Sequence, residues 1–310
     1  MNFNHTFSQM KREAKILLSG HWGAVVLGLI ITTLFAAVLE GIFKMILMPN
    51  EDTVTFTAAA IYEIANIIIA LIAVVLLAGF TRMILMVCRR KDVKATDVFA
   101  LLSRRPDRYI FSSILVSIVT SLPVLPGIIV MFAAIADIFV SFALSQASNP
   151  NVTNSDITYI MQNAMNTGGT TLILVSVLLI FVGMIFSIIL SLAYQYYIQI
   201  LVDNEEMGII EAMRTSRHMM KGYKGRLFLL QLSFIGWMIL GIFTLGILYL
   251  WLVPYVETTL TLFYFDLKKE PVPDERIPDG QGDFQSTVKP ETFESSESAG
   301  SNADFGSENE

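Results

Sequence analysis

The sequence predicts an all-α protein, a polytopic transmembrane helical bundle of about six spans, and three observations carry that expectation. Of its 310 residues, 54% are hydrophobic and only 15% charged, with a mean hydropathy of +0.61; soluble domains carry about 25% charged residues. The apolar residues fall in runs longer than the roughly 20 that a helix needs to cross about 30 Å of hydrocarbon. Lysine and arginine crowd into alternate connecting segments, the pattern of a chain retained with its basic loops in the cytoplasm.

Residues 1–21 read as a cytoplasmic amphipathic helix. Phe3, Phe7, Met10, Ala14, Leu17 and Leu18 recur at helical spacing, and Lys11, Arg12 and Lys15 take the other face. This helix is expected to lie in the inner headgroup layer. Residues 22–267 read as the six-span domain, with apolar segments over 22–48, 58–87, 109–144 and 171–202 and a pair within 227–265. The first segment has no small-residue cleavage site after a short apolar core, so it is expected to stay as an anchor. The last stretch carries no charge except Glu257. As one helix it would reach about 60 Å, twice the hydrocarbon thickness, so it must fold back. The expected break is Thr244-Leu245-Gly246, because glycine leaves helical geometry at little steric cost. Residues 268–310 form an acidic tail, rich in Pro, Glu, Ser and Gly and expected to be disordered. From Glu270 onward it holds 11 acidic residues against Arg276 and Lys289, leaving a mildly basic body.

With both termini in the cytoplasm, the inner segments hold Lys11, Arg12 and Lys15; then Arg89, Arg90, Lys91, Lys94, Arg104, Arg105 and Arg108; then Arg214, Arg217, Lys221, Lys224 and Arg226. Only Lys44 is left for the other side, one turn after Glu40, with which it could pair. The outer loops, 49–57 and 145–170, contain no lysine or arginine. An even number of spans, with both ends inside, follows.

A short amphipathic stretch precedes each odd-numbered span, which suggests three copies of one unit. The third copy, through Ile209, Ile210, Met213 and Met220, lies over the first without gaps: Arg12 on Arg214, Lys15 on Arg217, Gly20 on Gly222 and Gly23 on Gly225. The middle copy, Asp97 to Arg108, keeps Val98, Leu101 and Leu102 but lacks the glycine pair. Basic interfacial helices attract anionic lipid by about 1 kcal/mol per basic residue near the surface. Arg12, Lys15, Arg214 and Arg217 are therefore the candidate contacts for anionic lipids or for other membrane proteins.

The run AMRTSRHMMKG from Ala212 to Gly222, then RLFLLQLSFIGW from Arg226 to Trp237, Pro254-Tyr255, and FYFDL from Phe263 to Leu267, resembles a family of bacterial integral membrane proteins, the domain-of-unknown-function family 975. The likeness extends over roughly residues 5–267 and excludes the acidic tail. It implies a bacterial cell-membrane protein with about six spans, and implies no activity. Glu257 departs from the resemblance, which leads one to expect a neutral polar residue such as glutamine there.

A charged group at mid-membrane costs about 2.5 to 3.5 kcal/mol or more, so such groups are functional suspects. Glu257 lies near the middle of the sixth segment, one turn after Pro254, and could bind a proton or cation or simply be packed in hydrogen-bonded form. Glu63 and Asp137 fall toward the outer surface. Pro123 and Pro126, followed by Gly127, interrupt the third span; the alternatives are a simple kink and the broken helix of a small-solute or ion transporter, although no matching break is evident in the fourth span. Trp22, Trp251, Tyr194, Tyr196 and Tyr197 read as interfacial anchors. Single Cys88 reads as a small apolar residue.

No catalytic motif is present. His5, His21 and His218 form no pair at metal-ligand spacing, and Glu205-Glu206 lacks an arginine four residues on, where Ile210 stands. No nucleophile elbow, phosphate loop or dinucleotide fingerprint occurs. The expectation is a non-enzymatic protein without cofactor, metal or nucleic acid, scaffolding lipids or other membrane proteins, with solute or ion transport through Glu257 as the alternative.

Overall fold

A computed structural model describes residues 6–47, 55–148 and 170–270, with residues 158 and 162; most of the acidic tail and of the two outer loops lies outside the described residues. Among those described the chain is helical and no strand occurs. In order, the elements are α1 (Phe7–Leu18), α2 (Trp22–Leu47), α3 (Phe56–Cys88), a 3₁₀ turn (Ala95–Phe99), α4 (Pro106–Ser121), a second 3₁₀ turn (Leu122–Val124) and α5 (Leu125–Ser148). They continue as α6 (Thr170–Tyr194), α7 (Tyr197–Asp203), α8 (Ile209–Met219), α9 (Lys224–Leu232), α10 (Ile235–Phe243) and α11 (Tyr249–Lys268). Among the described residues, five stretches are long and apolar enough to cross a membrane: Trp22–Leu47, Phe56–Cys88, Pro106–Val140, Thr170–Asp203 and Lys224–Phe243.

Helix α1 starts at a capping box. The Gln9 side-chain oxygen accepts the Thr6 amide at 2.7 Å, and the Thr6 hydroxyl accepts the Gln9 amide at 3.4 Å. Its apolar stripe does not face lipid, as an interfacial helix would require. Met10, Ala14 and Leu18 are wholly buried, and α1 packs on α11 and α3. The repeat relation between α1 and α8 holds in three dimensions. Each helix is followed by a glycine in the left-handed region, Gly20 at φ +88° and Gly222 at +86°, so the two helix-turn-helix units make the same turn. The middle copy departs from this pattern: it is a one-turn 3₁₀ segment seated on α2 and α3.

The prolines of the third span act as a packed kink. Helices α4 and α5 run on through the 3₁₀ turn, and α6 lies along both. A Cβ added at Gly183 of α6 would stand 2.3 Å from the Pro123 carbonyl oxygen, and one at Gly127 would stand 2.6 Å from the Ile180 amide nitrogen. Small residues thus let the bent segment and α6 touch backbone to backbone.

The fourth span, expected to be unbroken, is interrupted. Helix α6 ends at Tyr194 and α7 restarts at Tyr197. Ser216, buried on α8, bridges the gap: its hydroxyl donates to the Ala193 carbonyl at 3.1 Å and accepts the Tyr196 amide at 3.2 Å. Tyr196 is not an interfacial anchor either. It is fully buried, its hydroxyl donates to the Leu260 carbonyl at 3.1 Å, and its ring lies against Phe263 and Tyr264.

The chain turns back where expected, after α10. Leu245 (φ +52°) and Gly246 (φ +85°) close the helix by donating their amides to Ile242 and Gly241, at 3.1 and 3.0 Å, a Schellman arrangement that satisfies the terminal carbonyls. The returning helix α11 differs from a sixth full crossing. Trp22, at the start of α2, shares a cavity with Leu248 and Trp251 at the start of α11, whereas Glu270, beyond the other end of α11, pairs with Arg89, one residue past α3. Helices α2 and α3 are antiparallel neighbours, with Gly28 against Met83, so Trp22 and Arg89 lie at the same end of that pair. Helix α11 therefore runs obliquely across this end. It carries Pro, Glu, Thr, Tyr and Asp because other helices shield it: Leu260, Leu262, Phe263, Tyr264 and Phe265 are buried.

The core is concentrated at that same end, where Met10, Leu18, Phe80, Met83, Ile84, Leu85, Tyr196 and Phe234 are buried. Away from it, Leu34, Ile64, Phe132, Phe139, Leu178 and Phe181 project outward. Burial against protein gains little where the surrounding solvent is itself apolar, so large side chains there need no cover.

Candidate functional site

The basic residues singled out in the repeats occupy equivalent places. Arg12 and Lys15 on α1, and Arg214 and Arg217 on α8, all have exposed side chains, and among the described residues none of the four forms an ion pair. Opposite them, Met10 and Ala14 on α1 and Ala212, Met213 and Ser216 on α8 are buried, which locks each helix with its cationic face outward. Lys15 Nζ lies 5.6 Å from the centre of the Tyr255 ring, and Lys11 Nζ lies 4.2 Å from that of Phe234. Arg217 and His218 stand in the last turn of α8 and Glu211 in the first, each on the favourable side of the helix dipole.

Between α4 and the start of α8 runs a groove of about 860 Å³. Phe111, Ile114, Leu115 and Ile118 line it from α4, and Gly208, Ile209, Ile210, Glu211 and Arg214 line it from the start of α8. From the first to the last of those four α4 residues is seven residue steps, about 10 Å of helix. A cation thus borders a largely apolar groove, with Glu211 one turn before it on the same helix.

A second cavity, of about 330 Å³, gathers Trp22, Trp237 and Trp251 with Lys15, Leu248, Leu252 and Tyr255. The chain's three tryptophans meet there. Trp22 and Trp251 are therefore neighbours.

Two arginines read only as topological signals prove to be structural. Arg89 grips Asp203 in bidentate fashion, at 2.8 and 3.0 Å, and reaches Glu270 at 2.9 Å through Nε. Asp203, whose side chain is only 3% exposed, also accepts from the Tyr264 hydroxyl at 2.9 Å and from Lys268 Nζ at 3.0 Å. The cluster ties together the ends of α3, α7 and α11. Arg108, on α4 and buried, donates to the carbonyls of Asn204, Glu205 and Met207 and so holds the α7–α8 connection.

The Arg89 cluster has a pH signature. The hydrogen bond from Arg89 holds the Glu270 carboxyl below the usual glutamate value, against the opposing effect of burial, and hydrogen bonds to Asp203 and Glu270 keep the Arg89 guanidinium more firmly protonated. Because the folded Glu270 binds a proton less readily than the unfolded one, its stabilising contribution is complete above about pH 4.3 and is lost as the pH falls through its own depressed value. Thermal unfolding of the purified protein should accordingly show a midpoint that is flat near neutrality and falls in acid. The Glu270→Gln variant should lose part of that acid-side fall.

The intramembrane candidates are not all in one place. Glu257 and Pro254 lie together on α11, where the Thr258 hydroxyl donates to the Pro254 carbonyl at 2.7 Å. Pro123, inside the 3₁₀ turn packed on Gly183, and Pro126, in the first turn of α5, do not share the Glu257 surroundings.

Among the described residues, a helical bundle with five stretches able to cross a membrane marks a membrane protein. The chain belongs to the family described as "Protein of unknown function (DUF975)", whose model matches residues 1–271. Neither a curated protein nor a solved structure matches the chain significantly.

Proposed function

We propose that this chain is a non-enzymatic, multi-pass protein of the bacterial cell membrane, with both termini in the cytoplasm, that binds anionic phospholipid on the basic faces of α1 and α8. The observation that carries this reading is the α4–α8 groove. Its apolar wall, Phe111 to Ile118, lies within a stretch long and apolar enough to cross a membrane, and Arg214 borders the same groove from α8. An acyl chain fits the trough and a phosphate fits the guanidinium, which pairs with phosphate through two parallel hydrogen bonds. Arg12, Lys15 and Arg217 enlarge the positive surface, each contributing about 1 kcal/mol toward an anionic bilayer. Assembly with other membrane proteins follows from lipid held at a shared surface.

The test is a purification in polymer-excised native membrane discs, with co-isolated lipids and proteins identified by mass spectrometry. The wild type is expected to enrich anionic over zwitterionic phospholipid relative to the bulk membrane, and the Arg214→Gln/Arg217→Gln variant to lose that enrichment. Equal lipid composition in the two samples removes the reading.

A further inference from the structure

The interruption between α6 and α7 opens onto a cavity of about 310 Å³, largely apolar but bordered by several polar side chains, that Glu257 of α11 also lines. Its depth can be read on independent helices. Thr81 lies seven residues before the end of α3 and Gln199 four before the end of α7, while Ser191 lies 12 before that end and Thr120 14 after the start of α4. At 1.5 Å per residue these positions are between about 6 and 21 Å from the Arg89 end, within the thickness of a hydrocarbon layer.

Its apolar walls carry neutral hydroxyl and amide groups around the Glu257 carboxyl. No lysine or arginine borders it. The hydroxyls of Thr81, Thr120 and Ser191 each donate to a carbonyl of their own helix, Leu77 at 3.1 Å, Val116 at 2.8 Å and Ile188 at 2.9 Å, which leaves oxygen lone pairs for anything inside. Gln199 is only 4% exposed, and its side-chain oxygen has no hydrogen-bond partner, although an unmet buried acceptor is expensive. The Glu257 carboxylate likewise takes no hydrogen bond and no ion pair among the described residues. A helix broken beside an unpaired carboxylate, with side-chain oxygens on the surrounding walls, is an arrangement by which membrane proteins hold small cations.

We propose that this cavity binds a small monovalent cation through the Glu257 carboxylate and the Gln199 side-chain oxygen, with the Thr81, Thr120 and Ser191 oxygens completing its shell. The shared chemistry is a compact positive charge able to receive several oxygen ligands. An alkali-metal ion and a primary ammonium group both meet it. The site is independent of the lipid surface, because none of its residues lies on α1 or α8.

The test uses the full chain in lipid nanodiscs. Sodium, potassium and methylammonium chlorides are titrated separately at constant ionic strength against N-methylglucamine chloride, with binding read by calorimetry and by the thermal-unfolding midpoint. Saturable binding of at least one of the three cations is expected in the wild type, and which one saturates distinguishes metal ion from ammonium. Half-saturation should weaken about tenfold or more in Glu257→Gln, a loss of about 1.4 kcal/mol or more, and by a smaller factor in Gln199→Met, which keeps the volume and removes the oxygen. If Glu257→Gln does not fold, Gln199→Met decides. The proposal is overturned if none of the three cations binds saturably to the wild type, or if a folded variant binds within about twofold of it.

Discussion

Asp203→Ala is expected to lower the thermal-unfolding midpoint by about 5–10 °C in detergent or nanodiscs, the largest effect of any surface-distant change outside the packed glycines. The substitution removes the acceptor on which Arg89, Tyr264 and Lys268 converge. Breaking a buried pair by deleting one partner costs about 3–5 kcal/mol, because the other charge is left without compensation. Arg89 and Lys268 both retain Glu270, at 2.9 and 3.0 Å, which places the loss toward about 3 kcal/mol. Asp203→Asn keeps an acceptor for Tyr264 and should fall between the two. Proteolysis should then find the α7–α8 connection and the end of α11 first, since these are the segments the cluster ties to α3. A midpoint within about 1 °C of wild type for Asp203→Ala would mean that the cluster is ornamental to stability.

Gly79→Ala is the second large effect. A Cβ there would stand 2.0 Å from the Val98 carbonyl oxygen and 2.8 Å from its carbon, and both atoms are backbone. The neighbour cannot swing aside as a side-chain tip would, so the 3₁₀ turn between α3 and α4 must move away from the α2–α3 pair. Forcing atoms into a packed core costs about 1–3 kcal/mol and occasionally more, and the expected outcome is a midpoint lowered by about 5 °C or more. Gly23→Ala is the matched control. Nothing lies within 4 Å of the Cβ it would gain, and alanine is the better helix former. It should be neutral or slightly stabilising. Equal midpoints for the two variants would show that the turn is not seated on Gly79.

How much of this was legible in the amino-acid order depends on the range of the interaction. Features set by a few neighbouring residues could be read. The turn at Thr244-Leu245-Gly246 is local backbone chemistry, and the repeat joining Gly20 to Gly222 is visible because the same turn recurs with the same residues. The helical fold follows from apolar run length, which needs no knowledge of partners. Features that join distant positions could not be read. Arg89 and Asp203 are 114 residues apart and Arg89 and Glu270 181, so all three look like charges flanking apolar segments until the helices are assembled. The break at Gln195–Tyr196 carries no proline or glycine; it is sustained by Ser216 from another helix. Hydropathy also miscasts α11, because a helix shielded by protein can carry Glu257 and three buried threonines that lipid would reject. The basic candidates Arg12, Lys15, Arg214 and Arg217 were identifiable from amphipathic spacing, yet the groove that makes Arg214 distinctive needs α4 beside α8. The apolar stripes beneath them were legible too, but not that protein, and not lipid, covers them.

Native mass spectrometry of the delipidated protein, titrated with phosphatidylglycerol or phosphatidylcholine, tests the lipid-binding claim most directly. Two variants separate headgroup from acyl-chain recognition: Arg214→Gln removes the cation, and Ile114→Trp fills the trough. Wild-type protein should retain discrete phosphatidylglycerol adducts at activation energies that strip phosphatidylcholine. Arg214→Gln should lose the preference between the two lipids, and Ile114→Trp should lose the tightest adduct of both. Adducts equally weak for both lipids in the wild type, or unchanged in both variants, would contradict a lipid site in the α4–α8 groove.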